Sequence, residues 1–196
     1  MKELIIATGN KGKLVEIEDL LRDVVETFYS LHDFPEIPRV EEDGATFEEN
    51  AVKKGRSAAL ATGKPVIADD SGLEVDILGG RPGVHSARFA GEDASDSSNN
   101  EKLIKEIANS SEDQRTAAFR CVIALCLPDG NCRTFTGSLK GIILLEARGT
   151  GGFGYDSLFL VPEHGRTLAE LPLHVKNAIS HRGMALARLK ECLAGS

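Results

Sequence analysis

Apolar positions along the chain fall into short blocks whose spacing changes from one block to the next. Residues 3–8 hold the unbroken apolar run Leu4-Ile5-Ile6-Ala7, the pattern of a short buried strand. Gly9-Asn10 breaks it, and Leu14, Ile17, Leu20 and Leu21 then recur at helical spacing. Thr46-Phe47-Glu48-Glu49 has the form of a capping box, which predicts a second helix over 47–61, stopped by Gly63 and Pro65. A strand over 65–68 ends at Asp69-Asp70-Ser71-Gly72, and a glycine-rich stretch, 78–91, reads as a shaped loop. A helix is expected over 98–108. From Thr116 the period becomes two, with Ala117, Phe119, Cys121, Ile123 and Leu125 on one face. Pro128-Asp129-Gly130-Asn131 is a turn, so 116–125 and 132–145 form a long hairpin. A glycine-rich loop over 149–156, a short strand over 158–161 and a last helix over 177–193 complete the chain. Strands and helices mix without strict alternation, which predicts an α/β fold with a mixed central sheet flanked by helices.

Composition narrows the picture. The 196 residues are 41% hydrophobic and 27% charged, near the average of globular domains, and predict a single domain, 1–196, with at most two lobes. Lys plus Arg is 23 and Asp plus Glu is 30, so the net charge is −7. An acidic chain is a poor non-specific binder of a nucleic-acid backbone, so no nucleic-acid partner is expected. No membrane association is expected either: the first apolar run is too short for an export signal, and nothing approaches a membrane span. A cytoplasmic location follows, in which Cys121, Cys126, Cys132 and Cys192 are expected as buried thiols rather than a disulfide framework.

Five segments carry candidate chemistry. Thr8-Gly9-Asn10-Lys11-Gly12-Lys13 joins the first strand to a helix, where backbone N–H groups and the helix dipole favour an anion. It lacks the spacing of a Walker loop, and a solvated turn with two surface lysines is the alternative. Asp69-Asp70-Ser71-Gly72 places adjacent carboxylates at a strand end. On an extended chain they point to opposite faces, so at most one faces a given pocket; an N-cap or turn is the alternative. Glu41-Glu42-Asp43-Gly44 is a second acidic group, two of whose three carboxylates are expected to be solvated, since Mg²⁺ needs only one or two. Gly151-Gly152-Phe153-Gly154-Tyr155-Asp156 holds two aromatic rings in a glycine-rich loop, suited to stacking on a base or, alternatively, to anchoring the loop in the core. Ser180-His181-Arg182-Gly183, after Lys176, offers hydrogen-bond donors at the start of the last helix.

Taken in order, these segments resemble the inosine triphosphate pyrophosphatase family. The match covers Thr8 to Lys13 with Glu16, 46–51, 68–73, 78–91, 149–156 and 176–186. Each motif is weak alone, but six in the family's order are specific. The resemblance implies hydrolysis of ITP, dITP and XTP to a monophosphate and pyrophosphate, removing deaminated purines from the nucleotide pool. It further implies Mg²⁺, a homodimer and an elongated two-lobed fold of Maf/Ham1 type with the site in a cleft between lobes. By position, Thr8, Gly9, Asn10, Lys11, Gly12 and Lys13 line the triphosphate site. Glu41 and Asp70 match the metal-binding carboxylates, and Asp70 the proton acceptor. Ser71 contacts substrate, while Phe153, Gly154, Tyr155, Asp156, Lys176, His181 and Arg182 form the base side. Lys54 and Arg88 match further phosphate contacts. Ser157, Ala147 and His174-Val175 depart from the family's usual Pro, Pro and acidic pair, which touches loop rigidity and no catalytic group.

Three competing readings stay in view. A Maf-like pyrophosphatase would not carry the Phe153-Gly154-Tyr155-Asp156 and Ser180-His181-Arg182 segments. A non-catalytic nucleotide sensor would have no use for both Glu41 and Asp70. A protein–protein adaptor fits glycine-rich polar loops at strand ends poorly.

Overall fold

A computed structural model describes every residue except Glu36, Pro38, Arg39, Gly195 and Ser196. In chain order the main elements are β1 Glu3–Ala7, α1 Lys11–Leu21, β2 Thr27–Ser30, α2 Phe47–Thr62, β3 Val66–Val75 and α3 Asp96–Ile107. They continue with β4 Thr116–Cys126, β5 Cys132–Ile143, β6 Phe159–Val161, β7 Arg166–Thr167, α4 Leu173–Ile179 and α5 His181–Ala194. The strands build a 7-stranded sheet in the order β2-β1-β3-β4-β5-β6-β7. β2 and β3 run parallel to β1, whereas β6 runs antiparallel to β5 and β7, so the sheet is mixed.

The chain divides into two compact units, one of Met1–Asp70, Cys121–Gly137 and His181–Ser196, the other of Ser71–Arg120 and Ser138–Ser180. In the first unit both faces of the sheet are covered. Leu4 and Ile6 of β1, with Ile67, Cys121 and Ile123, pack on Ile17 and Leu21 of α1 and Leu186 and Leu189 of α5. The alternate residues Ile5, Ala7, Val66, Ala68, Val122 and Ala124 pack on Ala51, Ala58 and Ala59 of α2. Small side chains let α2 lie close to the sheet: a Cβ on Gly55 would sit 2.8 Å from Cys126 Sγ. Full burial on both sides explains why β1 reads as an unbroken apolar run. In the second unit Leu73, Val75, Phe89, Leu103, Ile107, Phe119, Tyr155 and Phe159 form one cluster, with the Phe119 and Phe159 rings 4.6 Å apart. Burial of each such side chain contributes about 1.5–3 kcal/mol.

Several local readings hold. Thr46 caps α2 through the Glu49 N–H, although the Glu49 carboxylate returns to Ala45 N at 2.7 Å rather than to Thr46. Gly63 ends the helix in the left-handed conformation. The turn after β4 forms as read, with Gly130 at φ 83° and Leu127 N donating to Asn131 O at 2.9 Å.

Three readings are corrected, and one strand, β2, adds to them. β3 does not end at Asp69 but continues through Asp-Asp-Ser-Gly to Val75, with both carboxylates buried. β2, which carries no clear alternation, is an edge strand beside β1. The final helix is two helices, because Ser180 takes an extended conformation (φ −71°, ψ 158°) between α4 and α5. Cys126 and Cys132 form a disulfide: they bracket the turn, at the last position of β4 and the first of β5, with Cα atoms 4.1 Å apart. Cys121 and Cys192 remain thiols.

Candidate active site

The alternation of β3 decides what the adjacent carboxylates do. Ile67 faces α1 and α5 and Ala68 faces α2. Two residues further on, Asp69 and Asp70 follow the same two faces. Each therefore meets a different set of partners, as the extended chain requires.

Asp69 enters a buried ion cluster. Arg182 Nε donates to its Oδ2 at 2.8 Å, Cys121 Sγ donates to the same oxygen at 3.2 Å, and Lys13 pairs with Oδ1. Arg182 also donates through Nη1 to Glu16 Oε2 at 2.5 Å. Glu16 and Arg182 are 3% and 1% exposed. Burial alone would raise the Asp69 pKa, but the charges of Arg182 and Lys13 outweigh it and hold the carboxyl well below its ordinary value. The same cluster pushes the Cys121 thiol well above its usual range, through burial first and the Asp69 charge second. Cys121 is therefore a hydrogen-bond donor here and no nucleophile.

Asp70 meets α2 instead. Lys54 Nζ donates to the Asp69 backbone carbonyl at 2.8 Å and to Glu42 Oε1 at 3.0 Å, and lies 3.6 Å from Asp70 Oδ1. Asp70 Oδ2 is buried without a hydrogen bond. Burial raises the Asp70 pKa despite Lys54 and Lys13, and Glu42 adds to the rise. The neighbouring strand positions thus hold one carboxylate that stays ionised and one poised to take a proton. In the acidic loop Glu42 and Asp43 pair with Lys54 and Lys53, while Glu41 is exposed. No group of three or more His, Cys, Asp or Glu side chains forms a metal cage among the described residues. Mg²⁺ needs none: one or two carboxylates, with water and phosphate oxygens, make its usual shell. The partnerless Asp70 oxygen is a hard donor of the required kind, so the residues fit the ion.

The 8–13 loop sits in the first unit at the start of α1. Asn10 caps the helix by accepting the Lys13 N–H at 3.1 Å, and its own N–H donates to Thr8 Oγ1 at 3.2 Å. The first-turn N–H groups of Lys11 and Gly12 point along the helix axis, an arrangement that favours negative charge at that end. His181, buried, opens α5 beside Arg182. The chain crosses β5 closely here, since a Cβ on Gly137 would overlap the His181 carbonyl oxygen.

The second unit gathers the aromatic loop. Lys176, 3% exposed, donates to Asp156 Oδ2 at 2.5 Å and lies 4.7 Å from the centre of the Phe153 ring. Asp156 Oδ2 also accepts the Phe153 N–H at 2.9 Å. Gly152 (φ 71°) admits no side chain, because a Cβ would land on the Asp156 carboxylate. Gly154 is held from both sides by α3: its N–H donates to Asp96 Oδ2 at 2.7 Å and its carbonyl accepts from Asn100 Nδ2 at 3.1 Å. Tyr155 is a loop anchor, its hydroxyl donating to the Ser86 carbonyl at 2.8 Å, and burial raises its pKa. Ser71 lies half-buried in the same unit, and Arg88 lies 3.7 Å from Glu92.

Sequence reasoning passed over Asn50, Asp96 and Asn100 and gave Glu16 no role. Glu16 carried a signal, a charged residue beside Ile17 on the apolar stripe of α1. Asn50 carried one too, standing next to Ala51 on the buried face of α2.

Comparison with known proteins identifies the family. The Ham1 family profile matches residues 4–192. The dITP/XTP pyrophosphatase of Geobacter sulfurreducens is 60% identical over 193 residues, which is 98% of this chain and 97% of that one. The protein of the same name from Desulforamulus reducens is 52% identical over 97% of this chain and 95% of its own. Among solved structures, a HAM1 protein from Coxiella burnetii covers 100% of both chains with a TM-score of 0.90 at 43% identity. The Staphylococcus aureus Ham1 protein covers 98% of both chains with a TM-score of 0.87 at 42% identity. The chain belongs to the Ham1 family.

Proposed function

We propose that the protein hydrolyses deaminated-purine nucleoside triphosphates, ITP, dITP and XTP, between the α- and β-phosphates, releasing the monophosphate and pyrophosphate. Clearing these precursors from the nucleotide pool is its role. The name dITP/XTP pyrophosphatase, borne by relatives up to 60% identical over nearly the full chain, supports the activity. The observation that carries the chemistry is Asp70, a buried carboxylate with a raised pKa and one oxygen left without a partner.

In the reaction, a water attacks the α-phosphorus and the bond to the bridging oxygen breaks, so pyrophosphate leaves. Asp70 Oδ2 orients that water and takes its proton. Lys54 holds Asp70 and Glu42 in place and, with Lys13 and the N-terminus of α1, offsets the charge of the triphosphate. Lys11, Gly12 and Thr8 offer the remaining phosphate donors, and Ser71 and Arg88 further ones. A magnesium ion, when bound, supplies Lewis-acid charge neutralisation, and Asp70 with Glu41 would hold it.

Base recognition is assigned to Phe153, Gly154, Tyr155, Asp156, Lys176, His181 and Arg182. Phe153 offers a ring face whose position Lys176 and Asp156 fix. Arg182 is held by Asp69 and Glu16 before substrate arrives, so its guanidinium is preorganised. Hypoxanthine and xanthine carry a carbonyl at C6 that suits such donors. Adenine presents an amino group there, and the resulting buried mismatch costs about 1–3 kcal/mol.

A homodimer in the cytoplasm completes the reading. No helix among the described residues is long and apolar enough to cross a membrane. The test is pyrophosphate release with Mg²⁺, comparing ITP, dITP and XTP with ATP and GTP. A strong preference for the deaminated bases, with a monophosphate as co-product, is expected. Binding of ITP without cleavage would replace this reading with a nucleotide sensor.

A further inference from the structure

Two polar side chains stand one turn apart on α2, Asn50 and Lys54, and each reaches two places. Lys54 joins Glu42 of the acidic loop to the end of β3 through the Asp69 carbonyl. Asn50 repeats the arrangement one turn earlier. Its Oδ1 accepts the Gly44 N–H at 2.8 Å, and its amide lies near enough to Asp70 to lower that carboxyl's pKa against the effect of burial.

The surroundings make this contact specific. Asn50 is 1% exposed and lies on a helix face otherwise packed with Ala51, Ala58 and Ala59. Its Nδ2 is buried with no hydrogen bond of good geometry, and so is Asp70 Oδ2. A buried donor and a buried acceptor, both unmade, therefore belong to neighbouring side chains. An apolar residue would fill that position at lower cost if packing were its purpose. The loop also passes directly over the amide: a Cβ on Gly44 would lie 2.7 Å from Asn50 Oδ1 and 2.9 Å from Glu49 Cβ. Only glycine fits between the acidic group and α2.

We infer that Asn50 is a positioning residue for the hydrolytic carboxylate, tying the 41–44 loop to α2 through Oδ1 and fixing the Asp70 side chain through Nδ2. The inference rests on the reading of Asp70 as proton acceptor. It assigns to one amide the alignment of the acidic loop with Asp70, which a bound triphosphate and its cation then use together.

Asn50→Asp separates the two roles, because it keeps an acceptor for Gly44 N–H and removes the amide donor that faces Asp70. Asn50→Ala removes both. With ITP, each variant is expected to lower kcat about 10- to 100-fold, the scale of a displaced catalytic group, with KM within about threefold. The Gly44 amide stays protected from hydrogen exchange in Asn50→Asp and loses protection in Asn50→Ala. A substrate-free readout accompanies these: in the ¹⁵N–¹H spectrum, the Asn50 side-chain NH₂ pair shifts in Asp70→Asn. Wild-type turnover in Asn50→Asp would reduce Asn50 to a loop anchor. An NH₂ pair unmoved by Asp70→Asn would overturn the contact, and this arm decides the matter even if Asn50→Asp fails to fold. A wild-type protein that cleaves no triphosphate would instead sink the functional reading, while the spectrum still tests the contact.

Discussion

Arg182 Nε donates to Asp69 Oδ2 across 2.8 Å, joining residues 113 apart in the chain. With Glu16 on the other side of the guanidinium and Lys13 on the other side of the carboxylate, two cations and two anions close a buried, charge-balanced cluster. It ties α1, β3 and α5 together immediately beside Asp70. Arg182→Ala takes the guanidinium away from two buried carboxylates and is expected to cost about 3–5 kcal/mol in denaturant unfolding. Lys53→Ala, which breaks an exposed ion pair to Asp43, should change stability by less than about 1 kcal/mol. Equal effects of the two substitutions would show that the Arg182 cluster does not hold the fold.

The two carboxylates of β3 should respond to pH with opposite signs. The Asp69 pKa is lower folded than unfolded, where it lies near 3.8. Its contribution to stability is fully present above the unfolded value and lost as pH falls through the folded one. The Asp70 pKa is raised by burial, so the folded state binds the extra proton and stability falls as pH rises from 3.8 through the folded value. Urea unfolding in the presence of a chelator, from pH 3 to pH 8, checks both. Asp69→Asn should unfold more readily at neutral pH and lose less on acidification. Asp70→Asn should be more stable than the parent at neutral pH, since a neutral amide replaces a poorly solvated charge.

The same Asp70→Asn protein should lose at least about 10²-fold in kcat, the scale of removing a general base. Greater stability with lost turnover would mark Asp70 as a residue kept for chemistry at the expense of the fold. Near-normal turnover in the folded variant would remove Asp70 from the mechanism.

What the sequence made legible followed from burial. β1, α1, α2 and the hairpin were readable because each presents a clean run, stripe or alternation to one core. β2 was not, since an edge strand of half-exposed residues has no face to declare. The continuation of β3 through Asp69 and Asp70 was hidden because adjacent carboxylates read as the end of a strand. Their burial is possible only with Arg182 and Lys54, which arrive from elsewhere in the chain. The Cys126–Cys132 bond depends on strand register across the turn, which composition does not encode. Site residues with chemical character, such as Asp70 and Lys13, stood out, whereas Asn50 and Asn100 act by holding backbone groups and leave no such mark.

Metal dependence should separate activity from stability. Three apolar clusters pack the described core. A chelator should abolish pyrophosphate release while changing the melting temperature of the substrate-free protein little, and added Mg²⁺ should restore turnover. A large fall in melting temperature on chelation would mean that a metal holds the fold.

Recognition of the base should depend on α3, which carries no ring and no charge aimed at a ligand. Asp96 and Asn100 hold the N–H and carbonyl of Gly154, and the adjacent Phe153 is fixed through Asp156 and Lys176. Freeing the Gly154 peptide lets the ring sample other positions, which weakens stacking without touching the hydrolytic carboxylate. Asp96→Ala and Asn100→Ala are each expected to raise KM for ITP about 3- to 10-fold, a fraction of the 1–3 kcal/mol that a stacked base contributes, with kcat nearly constant. Gly152→Ala should act more severely, because its Cβ displaces the Asp156 carboxylate that both Lys176 and the Phe153 N–H use. Steady-state kinetics on ITP and XTP distinguish the cases. A fall in kcat with unchanged KM in the α3 variants would place the 153–156 loop in catalysis rather than in binding.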